Sequence, residues 1–239
     1  MRLAACTVAY NEAEWIETCI GQLRGYVNRH LVLVSSQPWY GASERDDGTA
    51  DLAAAAGAEV HVQHWKSETE QRNWGLEKLR DFDYVLILDA DEFFVRSEMR
   101  RLLGLLSAYR EPCFRCREMR TYWKSSEWVC DPIDSFSPPV IVVDPKAVRF
   151  RHFREVSSLA SNTSPVAEPI LPVTLHHMSW VKSDTKIREK IQTFSHAEWV
   201  HTDWFEKVWL NWSPGMEEIA PYGDRTMRAV HSPCPPLDS

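Results

Sequence analysis

Short apolar runs, each closed by polar residues and followed by a segment with helical spacing, alternate along the first hundred residues of this chain. Residues 2–9, 30–35, 59–63 and 84–88 have the pattern of buried strands, and 13–26, 49–56 and 68–80 that of helices. In the first helix, Trp15, Ile16, Cys19, Ile20 and Leu23 fall on one side, as an amphipathic helix on a sheet requires. Gly57 stands where a helix C-terminal cap belongs. Alternating β and α units predict a mostly parallel, Rossmann-like sheet with right-handed crossovers and helices on both faces. After residue 95 the regularity fades. A helix at 97–109 is followed by short strand candidates at 114–122, 140–143, 148–152 and 172–177, then a helix at 183–200, a tryptophan-rich segment and a proline-rich tail. The expectation is one compact domain with two halves, 1–95 regular and 96–239 irregular.

The polar residues that close the strands carry the chemistry. In open parallel sheets ligands bind beyond the carboxyl ends of the strands. Here those ends are Tyr10-Asn11-Glu12, Ser35-Ser36 and Asp89-Ala90-Asp91. Side chains two apart in an extended chain point the same way, about 7 Å apart. Asp89 and Asp91 can therefore face one ligand, with Ala90 keeping the space between them clear. Carboxylate oxygens suit Mg²⁺ or Mn²⁺, and Mg²⁺ commonly binds one or two carboxylates together with substrate phosphates. A plain helix-capping role is the alternative, but the next helix is predicted to start near Ser97, too far along to need them. There is no GxGxxG and no GxxxxGK[ST], so a dinucleotide fold or P-loop is not indicated and no glycine cradle is available for phosphate.

Composition narrows the picture. Hydrophobic content of 44% and charged content of 26% describe a globular protein, and a net charge of −7 argues against coating nucleic acid by bulk electrostatics. The 11 tryptophans lie mostly outside the parallel strands, where they can stack on sugars or bases or fill an irregular core; for most of them the core is the expectation. Six cysteines are scattered, and Cys113-Phe-Arg-Cys116 lacks the second ligand pair of a zinc site. Met1 runs straight into a strand and no stretch reaches membrane-spanning length, which predicts a cytoplasmic protein and incidental sequons at Asn162 and Asn211.

Thr7-Val-Ala-Tyr-Asn-Glu12, Asp47-Gly48-Thr49, Gln71-Arg72-Asn73-Trp-Gly-Leu76 and Leu88-Asp-Ala-Asp-Glu-Phe93 together resemble the nucleotide-sugar-binding half of family-2 glycosyltransferases of the GT-A fold, the last being similar to their DxD element. His176-His177-Met178-Ser179-Trp180, followed by Lys190-Ile191 and Phe194, resembles the HxSW stretch of bisecting-type N-acetylglucosaminyltransferases and related bacterial or viral enzymes. The resemblance implies that 1–95 binds the donor and 96–239 the acceptor. It places Tyr10 and Glu12 at the base and ribose, Arg72 at the base or diphosphate, Asp89 at the ribose, Asp91 and His177 on Mn²⁺ or Mg²⁺, and Lys190 near the diphosphate. Strand alternation sends His176 and His177 to opposite sides, and His177 is preferred for the metal. Lys186, on the same helix face as Lys182 and Lys190, is expected in solvent. The family's aspartate directly after strand two is replaced here by Ser35-Ser36-Gln37-Pro38-Trp39, which leaves base recognition by Asp46 or Asp47 open.

An inverting transferase also needs a carboxylate to take the acceptor's proton. Asp131, Asp134 and Glu155 are the candidates in the divergent stretch, with Asp131 and Glu155 ranked first together. The implied activity is metal-dependent transfer of a sugar from a nucleotide diphosphate sugar to a hydroxyl on a glycan or other acceptor. Rivals are a glycosyltransferase acting on hydroxymethylated bases of DNA, a nucleotidyltransferase, and a non-catalytic sugar- or nucleotide-binding module. Arg149-Phe-Arg-His-Phe-Arg154 looks like a nucleic-acid patch, but in a strand Arg149 and Arg151 would face away from Arg154.

Overall fold

The computed structural model describes residues 1–42, 46–133, 138–160, 166–223 and 226–235. Four parallel strands form one side of its sheet: β1 (Leu3–Ala9), β2 (Arg29–Ser35), β3 (Glu59–Gln63) and β4 (Tyr84–Asp89), in the order β3-β2-β1-β4 with β3 at the edge. They are joined by α1 (Ile16–Gln22), α2 (Thr49–Ala55) and α3 (Glu68–Lys78). All seven residues of β1 are buried, as a strand covered on both faces demands. Alternation divides the faces. Leu3 and Ala5 pack with Cys19 of α1 and Leu23 at its C-terminal cap, whereas Ala4, Cys6 and Val8 pack with Leu76 of α3.

Beyond β4 come β5 (Glu92–Phe93), α4 (Arg96–Ala108), β6 (Cys113–Trp123), β7 (Ser125–Asp131), β8 (Val140–Val143), the hairpin β9 (Val148–His152) and β10 (Glu155–Ser158), β11 (Ile170–Trp180), α5 (Asp184–Thr193) and β12 (Arg228–His231). Met99, Leu102 and Leu106 of α4 join the core on the α1 side. The sheet continues from β4 through antiparallel β8, β6, β7 and β12, and β11 runs parallel to β6. The architecture is a mixed α/β sheet flanked by helices, the class the sequence predicts.

The boundaries shift in instructive places. The expected helix at 183–200 stops at Thr193, and a 3-10 turn follows at Ala197–Trp199. The strand expected at 172–177 spans Ile170–Trp180, and β5, β7, β10 and β12 arise where the sequence shows no clear alternation. The second half has its own core, in which Trp123 touches Trp180, Trp204 and Trp209 with ring centroids 5.1–6.1 Å apart. Trp123, Trp180, Trp204 and Trp209 are thus core residues, as expected for most of the tryptophans, while Trp199 is 49% exposed.

Three successive residues of α3 key the helix to its surroundings. Gln71 donates to the carbonyl of Leu33 on β2 (2.7 Å), Arg72 reaches Asp89 at the end of β4 (2.6 Å), and the Asn73 amide bonds both the N–H and the C=O of Phe150 (2.9 Å each). This last pair docks the β9–β10 hairpin onto the first half. Two residues on, Gly75 lets α3 lie against the sheet, because a side chain there would press on the Cys6 sulfur and the Leu33 methyl.

Candidate active site

The strand ends and the second half enclose a cavity of about 520 Å³. Tyr10, Glu12, Arg72, Asp89, Asp91, His177 and Lys190, all expected from the sequence, line it. They arrive on five elements: the ends of β1 and β4, α3, β11 and α5. β1 ends at Ala9, and the chain turns through Asn11, whose φ of 52° is held by contacts from α5: its amide donates to Glu189 (2.7 Å) and its carbonyl accepts from Lys186 (3.2 Å). β4 delivers Asp89 and, one turn later, Asp91. The antiparallel pairing of β5 with β11 sets His177 opposite Glu92, and the Met178 N–H donates to the Asp91 carbonyl (2.8 Å). A strand from the second half is thereby fastened across the end of β4.

The two aspartates are held differently. Asp89 lies between two guanidiniums, Arg72 Nη2 at 2.6 Å and Arg154 Nη2 at 3.1 Å. Burial pushes its pKa up, but Arg154 and Arg72 prevail and bring it down to about 2. Asp91 is 4% exposed and faces His177 Nε2 through Oδ1 (3.3 Å), with Lys182 and Lys190 near Oδ2 (3.3 and 3.4 Å). Against the penalty of burial, these lysines and His177 hold Asp91 well below the usual carboxylate range. His177 responds in kind: burial opposes its charge, yet the Asp91 carboxylate raises its pKa. Lys182 likewise loses to burial but is raised by Glu12, with which it pairs, and by Asp91. Both aspartates are therefore ionised, acceptor-only groups.

His176 turns the other way, as alternation requires, and bonds the Tyr122 hydroxyl (3.0 Å); burial lowers its pKa to about 4. Lys190 donates to the Ser179 hydroxyl (2.9 Å), so His177, Ser179, Trp180 and Lys190 all reach the cavity together.

Asp91 Oδ1 and His177 Nε2 suit a divalent ion. Their 3.3 Å separation approaches the ~3 Å between neighbouring ligands of an octahedral ion bound at 2.0–2.1 Å. No group of three or more His, Cys, Asp or Glu that could hold a metal exists among the described residues. An ion here would have two protein ligands and take the rest from substrate and water, a mode Mg²⁺ commonly adopts.

Other expectations are corrected. Asp131 and Glu155 are not among the cavity's lining residues. Asp131 ends β7 and pairs with Arg228 of β12 (3.0 Å), while Glu155 is exposed at the start of β10. Asp134 and Asn162 lie outside the described residues. Lys186 is not in solvent: it is buried and paired with Asp47 (2.5 Å). Asp47 also accepts from the N–H groups of Ala13 and Thr49 (3.1 Å each), which makes it a joint between the β1 loop, α2 and α5.

Two participants escaped the sequence reading. Glu92 accepts from the Asp89 N–H (2.9 Å) and pairs with Arg154 (2.5 Å). Arg154 comes from the β9–β10 turn, where Phe153 has φ 45°. That left-handed residue turns Arg154 inward while Arg149 and Arg151 remain exposed, so the basic run does not form one face. A basic run that ends where a strand breaks was the available signal.

No protein-family model matches the sequence, and no curated relative matches it. Similar solved structures include mannosyl-3-phosphoglycerate synthase from Rubrobacter xylanophilus, with 19% identity over 52% of this chain and 40% of that one and a TM-score of 0.38. Another is glucosyl-3-phosphoglycerate synthase from Mycobacterium tuberculosis in complex with Mn²⁺, uridine diphosphate and glucosyl-3-phosphoglycerate, with 21% identity over 52% and 45% and a TM-score of 0.37. A mycobacterial protein shares 15% identity over 74% of this chain and 64% of its own, with a TM-score of 0.44. The chain spans less than two thirds of the length of each. Function has to come from the site itself.

Proposed function

We propose that this protein transfers a sugar from a nucleotide diphosphate sugar to an acceptor hydroxyl, with inversion, using Mn²⁺ or Mg²⁺ held by Asp91 and His177. One observation carries the proposal: residues of three of the four family-2-like motifs, together with His177, Ser179 and Trp180 of the HxSW-like segment, line one cavity at the carboxyl ends of β1 and β4. Tyr10, tilted toward Trp39 with ring centroids 6.4 Å apart, offers a surface for the base. Asp89, ionised and aimed by Arg72, accepts from ribose hydroxyls. Lys190 and Lys182 supply positive charge where a leaving diphosphate gains negative charge. A bound divalent ion would neutralise the same diphosphate. With Asp131 and Glu155 away from the cavity, the proton acceptor is drawn from the carboxylates that line it.

A thermal-shift panel of nucleoside diphosphates and nucleotide sugars, with and without Mn²⁺, tests this reading. A ligand at a hundred times its Kd adds about 2.7 kcal/mol to stability, enough to see. The expected result is a Mn²⁺-dependent shift with at least one nucleotide sugar that Asp91→Ala abolishes. A shift with nucleoside triphosphates alone would replace the transferase by a nucleotidyltransferase, and silence across the panel would leave only a binding module.

A further inference from the structure

Phe153, Phe194, His196, Trp199 and Tyr222 form an aromatic wall along the second-half side of the cavity. His196 is at its centre, with ring centroids 4.6 Å from Phe153, 4.9 Å from Trp199 and 5.3 Å from Tyr222. Trp199 is 49% exposed, at the end of the 3-10 turn that follows α5. The wall also includes a residue in a costly conformation. Phe153 has φ 45°, a left-handed backbone that bulky side chains avoid, that persists only where the surrounding structure over-determines it, and that clusters at ligand sites.

We propose that this wall seats the acceptor and that the acceptor is a carbohydrate, a pyranose ring lying against Trp199. The proposal rests on the transferase reading above and names its substrate class. The rings around His196 are inclined by 41°, 33° and 32°, which makes a curved shell in place of the parallel-sided slot that a planar base fills. A pyranose has a puckered apolar C–H face that a curved aromatic surface can follow, and hydroxyls at its edge that polar-tipped rings such as His, Trp and Tyr can meet. The five wall residues include no lysine or arginine, and Arg154, the cation next to Phe153 in sequence, pairs through Nη2 with Asp89 and Glu92.

The test uses the full chain and its Trp199→Ala and Trp199→Phe variants. Binding of neutral tetrasaccharides of glucose, mannose, galactose and N-acetylglucosamine is measured by saturation-transfer NMR and titration. Binding of UDP, GDP and ADP with Mn²⁺ is measured beside it. At least one tetrasaccharide should bind the unmodified protein, lose about tenfold in affinity in Trp199→Ala and stay within about threefold in Trp199→Phe. Diphosphate affinity should be equal in all three, and equal melting temperatures would exclude a folding defect. If no tetrasaccharide binds, the carbohydrate assignment is overturned. If Trp199→Ala weakens the diphosphate as much as the sugar, the wall is a base platform and the proposal is overturned as well. If sugars bind through Trp199 while no diphosphate binds, the transferase reading falls and the carbohydrate assignment stands.

Discussion

The two halves of this molecule build one cavity by opposite means. In the first, β1 to β4 bring polar residues to a common edge simply by ending there, so position along a strand decides what a residue does. In the second, β11, α5, the loop joining them and the β9–β10 hairpin reach across that edge and supply the counter-charges: His177, Lys182, Lys190 and Arg154. Ala9, Ile16, Ile20, Val32, Val34 and Ala53 give the first half an aliphatic core between sheet and helices, whereas β6, β11 and the segment after α5 are packed on one another's tryptophans. Neither half completes the site. Carboxylates come chiefly from one and cations from the other, so the cavity's electrostatics exist only when the halves are docked.

The largest expected effect follows from cutting that charge exchange. Arg154→Ala would leave Asp89 without one of its two guanidiniums and Glu92 buried without its cation. Removing one partner of a buried pair typically costs about 3–5 kcal/mol. Chemical denaturation should show a loss of that size, and Arg154→Lys should recover part of it; an unchanged midpoint would mean the halves do not depend on this contact. A somewhat smaller effect, confined to the first half, is expected on acidification. Burial lowers the His30 pKa to about 4, whereas an unfolded histidine titrates near 6.5. Between those values the unfolded chain binds the extra proton, so stability falls as pH drops through the window and levels off below about 4, by on the order of 3 kcal/mol. His30→Gln, which can keep a hydrogen bond to the Thr7 hydroxyl, should flatten that slope. Next is Gly75→Ala, which pushes α3 off β1 and should destabilise by about 1–3 kcal/mol. Because Arg72 rides on the same helix, affinity for the proposed donor should fall too.

The contrast also explains what the sequence could reveal. Buried parallel strands are short, apolar and bounded by polar residues, so β1 to β4 and their terminal Asp89 and Asp91 are visible without a structure. The second half has long strands of mixed exposure. In β6 the run Glu118-Met119-Arg120 gives no clean alternation, although Cys113, Phe114, Tyr122 and Trp123 at its ends are buried. Lys186 was placed in solvent because a lysine stripe on a helix usually is. Its partner Asp47 lies far away in sequence, where spacing carries no information. Alternation sets Arg154 apart from Arg149 and Arg151, as found, but its partners Asp89 and Glu92 also lie far away in sequence.

The smallest expected effect is an absence of one, and it bears most directly on which half would hold the acid–base chemistry of the proposed transfer. Asp131 and Glu155 were the divergent-half carboxylates best suited by sequence to take the acceptor's proton. Asp131 is spent on Arg228 at the β7–β12 edge, and Glu155 points to solvent beyond the turn that sends Arg154 inward. A general base must come within hydrogen-bond reach of the proton it removes, directly or through one water. Asp131→Asn and Glu155→Gln should therefore each retain turnover within about twofold, whereas loss of a true base costs about 10²–10⁴-fold. The kcat of each variant, measured with the donor identified by the thermal-shift panel, decides the matter. A hundredfold loss in either would require its segment to close over the cavity during turnover, and the second half would then provide the base as well as the counter-charges.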